Sequence, residues 1–461
     1  MKPETVGMSS ARLARLDQVM KHRYVDGGYL PGMLVHVYRK GQLVHTGICG
    51  QIDIERGKPM REDAIFRIYS MSKPITAVAL MMLVEEGLIG LDDVVHSHIP
   101  SWKNLGVYAS GMASLLPDTP PSFLTTPTLR PMKVVDLATH TSGLTYGFVM
   151  RTAVDAAYRA GKVTDRESAG GLRGMIDQLA QIPLDFSPGT AWNYSVSIDV
   201  LGYLVEKLSG VSFGEFLNTR LFKPLGMSDT AFYVPSDKIE RFTSCYQPGM
   251  KGGLKLQDDA RESAYTSPPM LESGGGGLVS TAHDYLRFCR MMLNGGTIDG
   301  VQILSPKTVA LFSLNYLPNG REVADMALPG MFSESSYAGV GFSIGCGVNV
   351  NVAKTRLPGS LGEYFWGWRR RDRLLDRSHG RVDGGVHDAG DRQRGAPDLA
   401  PGLAHLGLLS DDGIVRVVAV LQPRDFLCLS LVNGRRCPST TRNRGMSAQA
   451  FVQSVGVPTN E

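Results

Sequence analysis

Two side chains that can act together in catalysis stand three positions apart in an apolar stretch. Ser70 and Lys73 lie within FRIYSMSKPITAVALMMLVEEG, residues 66–87. Residues i and i+3 of a helix share one face, so the hydroxyl and the amine are expected to touch, whereas Ser72 faces elsewhere as a packing neighbour. A serine hydroxyl is a weak nucleophile until a base takes its proton, and burial turns a lysine into a base by lowering its pKa. The pair predicts nucleophilic catalysis, with Ser70 as the nucleophile.

A tyrosine offers a second proton acceptor. Tyr194 lies in SPGTAWNYSVSIDVLGYLVEKLSG, residues 187–210, where a Pro-Gly turn precedes a predicted helix. A phenol that faces a lysine ammonium can ionise and act as the base. Because the spacing S-x-x-K alone recurs by chance, the predicted active site requires Ser70, Lys73 and Tyr194 to meet in the fold.

Other serines and glycines match functional motifs without the structural context that those motifs need. The pattern G-x-S-x-G occurs at residues 210–214 and 341–345, but a nucleophile elbow requires a strand, a sharp turn and then a helix. Ser212 follows a predicted helix and Ser343 lies within a strand pattern, so both serines are interpreted as structural. The glycine run at residues 274–277 lacks the lysine of a phosphate-binding loop and is interpreted as a tight turn.

The order of the predicted elements indicates the fold class. Apolar residues at helical spacing follow Ser10, which is expected to cap a first helix, and two strands flank a turn at residues 39–42. A long region with helical patterns comes next, before strand patterns return. This order predicts an α+β fold in which an antiparallel sheet flanked by helices carries an inserted, mostly helical domain. The predicted units are residues 1–90 with 285–367 for the sheet domain, 91–284 for the helical domain and 368–461 for an atypical C-terminal segment.

Five motifs in chain order together resemble one family of enzymes. They are SMSK at 70–73, LATHTSGL at 137–144, YSV at 194–196, LFKPLGMSDT at 221–230 and GGGGLVSTAHDYLRF at 274–288. In this combination the chain is similar to the class C β-lactamase-like serine hydrolases, particularly the esterase family VIII branch. The resemblance runs from about residue 5 to residue 367 and implies a β-lactamase/penicillin-binding-protein-like fold. It also implies that Ser70 forms the acyl-enzyme while Lys73 and Tyr194 handle its proton as a coupled pair.

The resemblance further implies where the substrate binds. Penicillin-recognising members carry Lys-Thr-Gly on a strand that lines the site, and the lysine holds the substrate carboxylate. Here GSLGEYFWG at residues 359–367 resembles the position where family VIII usually has Trp-Gly-Gly. An apolar tryptophan in place of the lysine favours uncharged esters. The residues implied to bind the substrate or its oxyanion are Ser70, Trp366, Gly367 and Trp368.

The composition changes abruptly near residue 368. No lysine follows Lys354, and the glutamates beyond it are Glu363 and Glu461, while arginine, aspartate and glycine accumulate. Suitable codons for residues 384–392, when read one nucleotide later, encode the sequence of a buried strand. We therefore hypothesise that the reading frame changes at about residue 368. The hypothesis predicts loss of the last core strands, a disordered tail and reduced stability and activity. The alternative is a genuine basic extension.

The overall composition is that of a globular protein without a strong charge bias. The chain has 461 residues, with 48 basic and 44 acidic side chains and a net charge of +4, which gives no reason to expect a nucleic-acid partner. Neither an apolar run of roughly 18 residues nor a signal-peptide pattern is present, so no membrane association and a cytoplasmic location are predicted. The six cysteines are scattered and predict neither a metal site nor disulfides.

These observations predict a cofactor-free serine esterase that acts on a small-molecule ester with a short acyl chain. β-Lactamase or D-Ala-D-Ala peptidase activity is an alternative at the same site, which the absent lysine clamp and export signal disfavour. Acyl transfer to an alcohol or amine is a second alternative, since it requires only that the acceptor outcompete water. A binding protein without catalysis is a third, which the intact Ser70, Lys73 and Tyr194 disfavour and the altered C-terminus makes plausible. The oligomeric state is not predicted.

Overall fold

The computed structural model describes residues 2–112, 122–168, 170–249, 252–328, 337–357, 359–366, 417–421 and 429–431. The helices are α1 (Ser10–Val19), α2 (Ser72–Glu85), α3 (Val95–His98), α4 (Val134–Ala138), α5 (Ala153–Ala160), α6 (Gly171–Leu179), α7 (Ser197–Ser209), α8 (Phe213–Leu217), α9 (Lys223–Leu225), α10 (Ala282–Leu293), α11 (Pro306–Leu311), α12 (Val323–Met326) and α13 (Val352–Thr355). The strands are β1 (Gly32–Arg39), β2 (Gln42–Asp53), β3 (Lys58–Pro59), β4 (Ile65–Arg67), β5 (Val107–Met112), β6 (Ser122–Thr126), β7 (Cys245–Pro248), β8 (Leu254–Asp258), β9 (Val279–Thr281), β10 (Thr297–Ile298), β11 (Val301–Gln302), β12 (Val340–Phe342), β13 (Gly347–Asn349), β14 (Tyr364–Trp366), β15 (Val417–Leu421) and β16 (Leu429–Leu431).

The hairpin of β1 and β2 lies at the centre of one antiparallel sheet, in the order β15-β1-β2-β3. Lys40 and Gly41 join the two strands, and their φ angles are 48° and 81°. Two-residue turns with positive φ match the twist of a hairpin, and the turn predicted at residues 39–42 is confirmed. A second antiparallel sheet has the order β12-β13-β14-β16.

Two strands come from the C-terminal segment of unusual composition. β15 pairs antiparallel with β1, and β16 pairs antiparallel with β14. The loss of the last core strands and the disordered tail, which the frame-change hypothesis predicts, are therefore wrong for residues 417–421 and 429–431. The first stretch is rich in valine, which has high β propensity, and the unpaired backbone groups of a sheet edge can pair with an added strand. The remainder of residues 368–461, and with it the hypothesis of a changed reading frame, lies outside the described residues.

The helix that follows Ser70 is buried on every side. From Ile75 to Leu83 each residue of α2 is at most 6% exposed, as expected for a helix that is apolar around its whole circumference. α2 packs against α7, and both helices share one hydrophobic core with α10. This packing brings the residues that precede α2 close to those that precede α7, among them Ser70 and Tyr194.

The first helix begins as predicted, but its cap is one residue earlier. Ser9 has an extended backbone, and its hydroxyl accepts the Arg12 N–H at 3.3 Å. Ser10 already belongs to the helix, so the prediction that Ser10 is the cap is wrong. The reason is conformational, because a capping residue needs the non-helical φ and ψ angles that Ser9 has.

The predicted helical unit, residues 91–284, contains α3 to α9 together with the hairpins β5-β6 and β7-β8. β4 precedes this region in the sequence and β9 lies near its end, and the two strands pair with each other. The division into two domains stays a prediction. Across the described ranges, no helix has both the length and the apolar character needed to cross a bilayer.

Candidate active site

Ser70 lies where an extended segment turns into α2. A single helical turn over Tyr69–Met71 precedes α2, and Tyr69 has a φ of 40°. Positive φ is uncommon for a residue other than glycine, and such strain concentrates at functional sites. Ser70 itself remains partly exposed. Its position near a helix N-terminus also favours negative charge developing on a group bound there.

The three predicted catalytic side chains meet around the Ser70 hydroxyl. Lys73 Nζ lies 3.3 Å from Ser70 Oγ, and Tyr194 Oη lies 2.5 Å from the same oxygen. Lys73 Nζ is also 4.5 Å from the centre of the Tyr194 ring. The predicted contact between Ser70 and Lys73 is confirmed, and the expected approach of Tyr194 is too. Their catalytic roles stay predictions.

Burial changes the acid–base chemistry of Lys73. The residue is 1% exposed, and burial lowers its pKa to about 7, while the carboxylate of Asp199 acts in the opposite direction. Its Nζ donates a hydrogen bond to the Gly275 carbonyl at 2.5 Å. A lysine with a pKa near 7 is partly neutral at physiological pH, as a general base must be.

An aspartate and a glycine turn complete the surroundings of Lys73, and neither was predicted from the sequence to take part. Asp199 on α7 accepts the Gly275 N–H at 2.9 Å and the Ser273 hydroxyl at 2.5 Å. The glycine run at residues 274–277 is the expected turn, and it also supplies the carbonyl that binds Lys73. The sequence does indicate that a buried amine needs a hydrogen-bond acceptor. A glycine-rich turn can supply one, because its backbone can approach the amine closely.

Trp366 lies beside the catalytic side chains. It stacks on Tyr194 with ring centroids 5.8 Å apart and an interplanar angle of 22°, and its ring centre is 5.9 Å from Lys73 Nζ. The structure therefore places one of the residues predicted to contact substrate at the site. Two other residues implied to bind the substrate or its oxyanion, Gly367 and Trp368, lie outside the described residues.

Further aromatic rings that sequence reasoning did not single out surround Tyr194. Tyr146 packs on Tyr194 at 5.1 Å and stacks on Phe148 at 4.6 Å. Phe148 is 41% exposed, so it presents an apolar surface next to the site. His140 packs on Tyr194 at 5.1 Å and its Nδ1 is 3.0 Å from Ser195 Oγ. Burial lowers the pKa of His140 well below its ordinary value, so the imidazole is neutral.

The serines and the lysine that match other functional motifs form structural contacts and do not join the site around Ser70. Ser212 caps the start of α8, and the buried Ser343 donates a hydrogen bond to a backbone carbonyl at 3.3 Å. Ser72 accepts a backbone N–H at 3.2 Å, in agreement with its interpretation as a packing neighbour. Lys354, which begins a near match to Lys-Thr-Gly, forms an ion pair with Glu322 at 2.9 Å. Ser343 directly follows the end of β12, so the prediction that it lies within a strand is wrong by one residue. The contacts of all three serines agree with their structural interpretation.

The arrangement can carry out acyl transfer through serine. Ser70 has two adjacent groups able to take its proton, and it remains partly exposed, as an activated nucleophile must be. Over the ranges that the structure describes, no group of three or more His, Cys, Asp or Glu side chains is placed to hold a metal ion.

Comparison with known proteins matches the chain to one family. The Beta-lactamase family matches residues 16–349. Protein Rv1367c from Mycobacterium tuberculosis is 34% identical over 345 residues, which cover 74% of this chain and 81% of that protein. Esterase EstB from Burkholderia gladioli is 29% identical over 394 residues, which cover 80% of this chain and 88% of that protein.

A solved structure shows the same fold. The structure of EstCE1, described as a hydrolase with promiscuous acyltransferase activity, has a TM-score of 0.61 at 23% sequence identity. The match covers 92% of this chain and 94% of EstCE1. Together with the family match, this confirms the predicted α+β fold of the β-lactamase/penicillin-binding-protein type.

Proposed function

Because the chain belongs to the Beta-lactamase family and is an enzyme of the serine-hydrolase type, we propose that it is an esterase of the family VIII branch that hydrolyses short-chain acyl esters. Its resemblance to the esterase group of β-lactamase-like serine hydrolases is confirmed by the same matches. One observation carries the proposal: Ser70 Oγ lies 2.5 Å from Tyr194 Oη and 3.3 Å from Lys73 Nζ. An acyl-enzyme on Ser70 is the intermediate that this geometry favours.

Acylation begins when Ser70 Oγ attacks the carbonyl carbon of the ester. The serine proton passes to the pair formed by Tyr194 and Lys73, which shares it. The tetrahedral intermediate then collapses, the bond between the acyl carbon and the alcohol oxygen breaks, and the departing alcohol takes the proton from the pair. The products of this step are the free alcohol and an ester on Ser70.

Deacylation repeats these steps with water. Water gives a proton to the same pair as its oxygen attacks the acyl carbon, and the bond to Ser70 Oγ then breaks. Ser70 takes back the proton, and the carboxylic acid leaves. The cycle consumes one water and returns Ser70, Lys73 and Tyr194 to their starting states. An alcohol that replaces water in this step would yield a new ester, which is the acyl-transfer alternative.

The aromatic surroundings favour neutral, apolar esters. Trp366 stacks on Tyr194, and the resemblance to family VIII implies that it stands in place of the carboxylate-binding lysine of penicillin-recognising proteins. Lys354 pairs with Glu322. The exposed ring of Phe148 adds apolar surface next to Tyr146. A substrate carboxylate would have to be desolvated beside these rings without help from Lys354, which Glu322 already holds, and such desolvation is unfavourable.

Hydrolysis of p-nitrophenyl butyrate by the full chain tests the proposed function. We expect turnover of the butyrate, with slower turnover of nitrocefin and of a D-Ala-D-Ala peptide. Faster turnover of nitrocefin would favour the β-lactamase alternative, and formation of propyl butyrate on addition of 1-propanol would identify acyl transfer. Folded protein that neither hydrolyses these compounds nor reacts with a fluorophosphonate would overturn the proposal and favour a non-catalytic fold.

Removal of the Tyr194 hydroxyl is expected to lower kcat strongly. Tyr194→Phe keeps the ring that stacks on Trp366 but removes the oxygen that lies 2.5 Å from Ser70 Oγ. We expect kcat for p-nitrophenyl butyrate to fall by about 100-fold to 1,000-fold, which lies within the usual range of about 100-fold to 10,000-fold for a group that transfers a proton. Tyr158→Phe, which changes another buried tyrosine, should leave kcat unchanged. A Tyr194→Phe enzyme with wild-type kcat would exclude the hydroxyl from proton transfer.

The activity should decline on acidification with a midpoint near pH 7. Burial lowers the pKa of Lys73 to about 7, and below that pH the protonated amine can no longer accept the Ser70 proton. His140 does not contribute to this limb, because its pKa lies well below the ordinary value. We expect kcat/KM, measured from pH 5 to pH 9, to fall about tenfold per pH unit below the midpoint. A flat profile over this range would contradict the role of Lys73.

A further inference from the structure

Asp199 is a buried carboxylate next to the proposed base, and the reaction steps above do not use it. It is 1% exposed, and within the described part of the chain it forms no ion pair with lysine or arginine at salt-bridge distance. One carboxylate oxygen accepts the Gly275 N–H at 2.9 Å and the Ser273 hydroxyl at 2.5 Å. The other accepts the Tyr146 hydroxyl at 3.5 Å. Its hydrogen bonds thus go to groups that surround Lys73.

The Gly275 residue links Asp199 to Lys73. Its N–H donates to Asp199, while its carbonyl oxygen accepts a hydrogen bond from Lys73 Nζ at 2.5 Å. A Cβ atom at this position would lie 2.4 Å from Asp199 Oδ2 and 2.8 Å from Tyr146 Oη. Glycine is therefore required for so close an approach. The position of the carbonyl that binds Lys73 depends on the carboxylate that holds the other side of the turn.

We propose that Asp199 is a positioning residue that holds the Gly275 carbonyl against Lys73 and, through its negative charge, sets the pH range in which Lys73 accepts the Ser70 proton. The inference deepens the proposed function and rests on it, because it takes Lys73 as part of the base. In the described part of the chain the hydrogen bonds of Asp199 go to Gly275, Ser273 and Tyr146 and not to Ser70, so Asp199 acts through Lys73 and the turn at residues 273–277.

The charges around Lys73 support this role. The Asp199 carboxylate raises the pKa of Lys73 against the larger, lowering effect of burial. Among the described residues, the other titratable groups that face Lys73 are Tyr194, Tyr146 and His140. Burial raises the pKa of Tyr146 well above its ordinary value and lowers that of His140 well below, so both are neutral around pH 7. Loss of the Asp199 charge should therefore let Lys73 remain neutral at lower pH.

Asp199→Asn separates the charge of this side chain from its hydrogen bonds. The asparagine oxygen can still accept the Gly275 N–H, and its amide can donate to Tyr146, but the negative charge is gone. We expect the acid limb of kcat/KM for p-nitrophenyl butyrate to move to lower pH by about one pH unit. Asp199→Ala removes the acceptor as well and should lower the plateau value of kcat/KM by about 100-fold.

A matched control is available in α10. Asp284 is buried and accepts a backbone N–H at 2.7 Å and the Thr230 hydroxyl at 3.0 Å. Asp284→Asn makes the same chemical change away from Lys73 and should leave the acid limb in place. A folded Asp199→Asn protein whose acid limb coincides with that of the wild type would overturn the inference.

A second variant covers the case in which Asp199→Asn does not fold. Ser273→Ala keeps the charge but removes the 2.5 Å hydrogen bond that fixes the carboxylate. For this variant we expect the plateau value of kcat/KM to fall by about tenfold, while the acid limb of its pH profile stays in place. An unchanged plateau in folded Ser273→Ala would overturn the positioning role.

The rate at which a fluorophosphonate labels Ser70, followed against pH, keeps this test apart from the proposed esterase activity. Labelling reports the activation of the Ser70 hydroxyl without any ester turnover. Failure of the esterase proposal would appear as labelled protein that does not hydrolyse esters. Failure of the Asp199 inference would appear as identical labelling profiles for wild type and Asp199→Asn. Folded wild-type protein in which Ser70 takes no label would overturn both.

Discussion

Replacing Ser70 by alanine is expected to lower kcat for p-nitrophenyl butyrate by at least about 10,000-fold. Alanine cannot form the acyl-enzyme, and the proton acceptors Lys73 and Tyr194 are then left without their nucleophile. The substitution removes one hydroxyl from a partly exposed residue, so the melting temperature should not fall. Steady-state kinetics and a thermal melt of the purified protein measure the two effects.

Serines close in sequence or in motif provide the controls for Ser70→Ala. Ser212→Ala removes a helix cap and should cost about 1 kcal/mol of stability, with kcat unchanged. Ser72→Ala removes a buried acceptor of a backbone N–H bond, which is expected to cost about 1 to 2 kcal/mol without loss of the nucleophile. Mass spectrometry after fluorophosphonate treatment should locate the label on Ser70 in both controls. Wild-type turnover by Ser70→Ala would show that the reaction takes place elsewhere.

Local patterns were sufficient to predict the elements that present the nucleophile. The i and i+3 spacing placed Ser70 and Lys73 on one helix face, and the continuous apolar sequence of α2 indicated a buried helix. The turn between β1 and β2 also followed from short-range residue preferences. The cap of α1 was missed by one residue, because Ser9 and Ser10 are equally good capping residues and only the backbone angles distinguish them.

The partners of Lys73 could not be predicted, because they are brought together by packing over long separations in sequence. Lys73 and the Gly275 carbonyl are 202 positions apart, and Asp199 and Gly275 are 76 apart. A single sequence shows that a buried amine needs acceptors, but many carboxylates and carbonyls satisfy that need equally well on paper. Tyr194 was a candidate because it lies between a Pro-Gly turn and a predicted helix, and the resemblance of the YSV motif to that of a known family supported its contact with Lys73. Pairing of β15 with β1 similarly depends on which sheet edge is open.

Replacing Lys73 by methionine is expected to change activity and stability in opposite directions. Methionine is unbranched, apolar and adaptable, so it can occupy the buried position of the lysine stem. Without the amine, kcat for p-nitrophenyl butyrate should fall by about 1,000-fold, because Ser70 keeps only Tyr194 as a proton acceptor. Lys73→Arg should be equally inactive and less stable, since a guanidinium stays charged when buried. Kinetics near pH 8, with circular dichroism to establish folding, measure the first effect.

The stability gain of Lys73→Met should depend on pH in a defined way. Burial lowers the pKa of Lys73 from 10.5 to about 7, so between these values the unfolded chain binds the proton and the folded chain does not. The free energy of unfolding of the wild type therefore rises with pH across this window, and the full penalty, on the order of 5 kcal/mol, applies below pH 7. The lost hydrogen bond to Gly275 offsets about 1 to 2 kcal/mol of the gain.

Urea denaturation should show Lys73→Met to be more stable by about 3 kcal/mol at pH 6.5, with the advantage disappearing towards pH 10. A difference that stays constant with pH would mean that Lys73 keeps its ordinary pKa in the folded protein and cannot serve as the base.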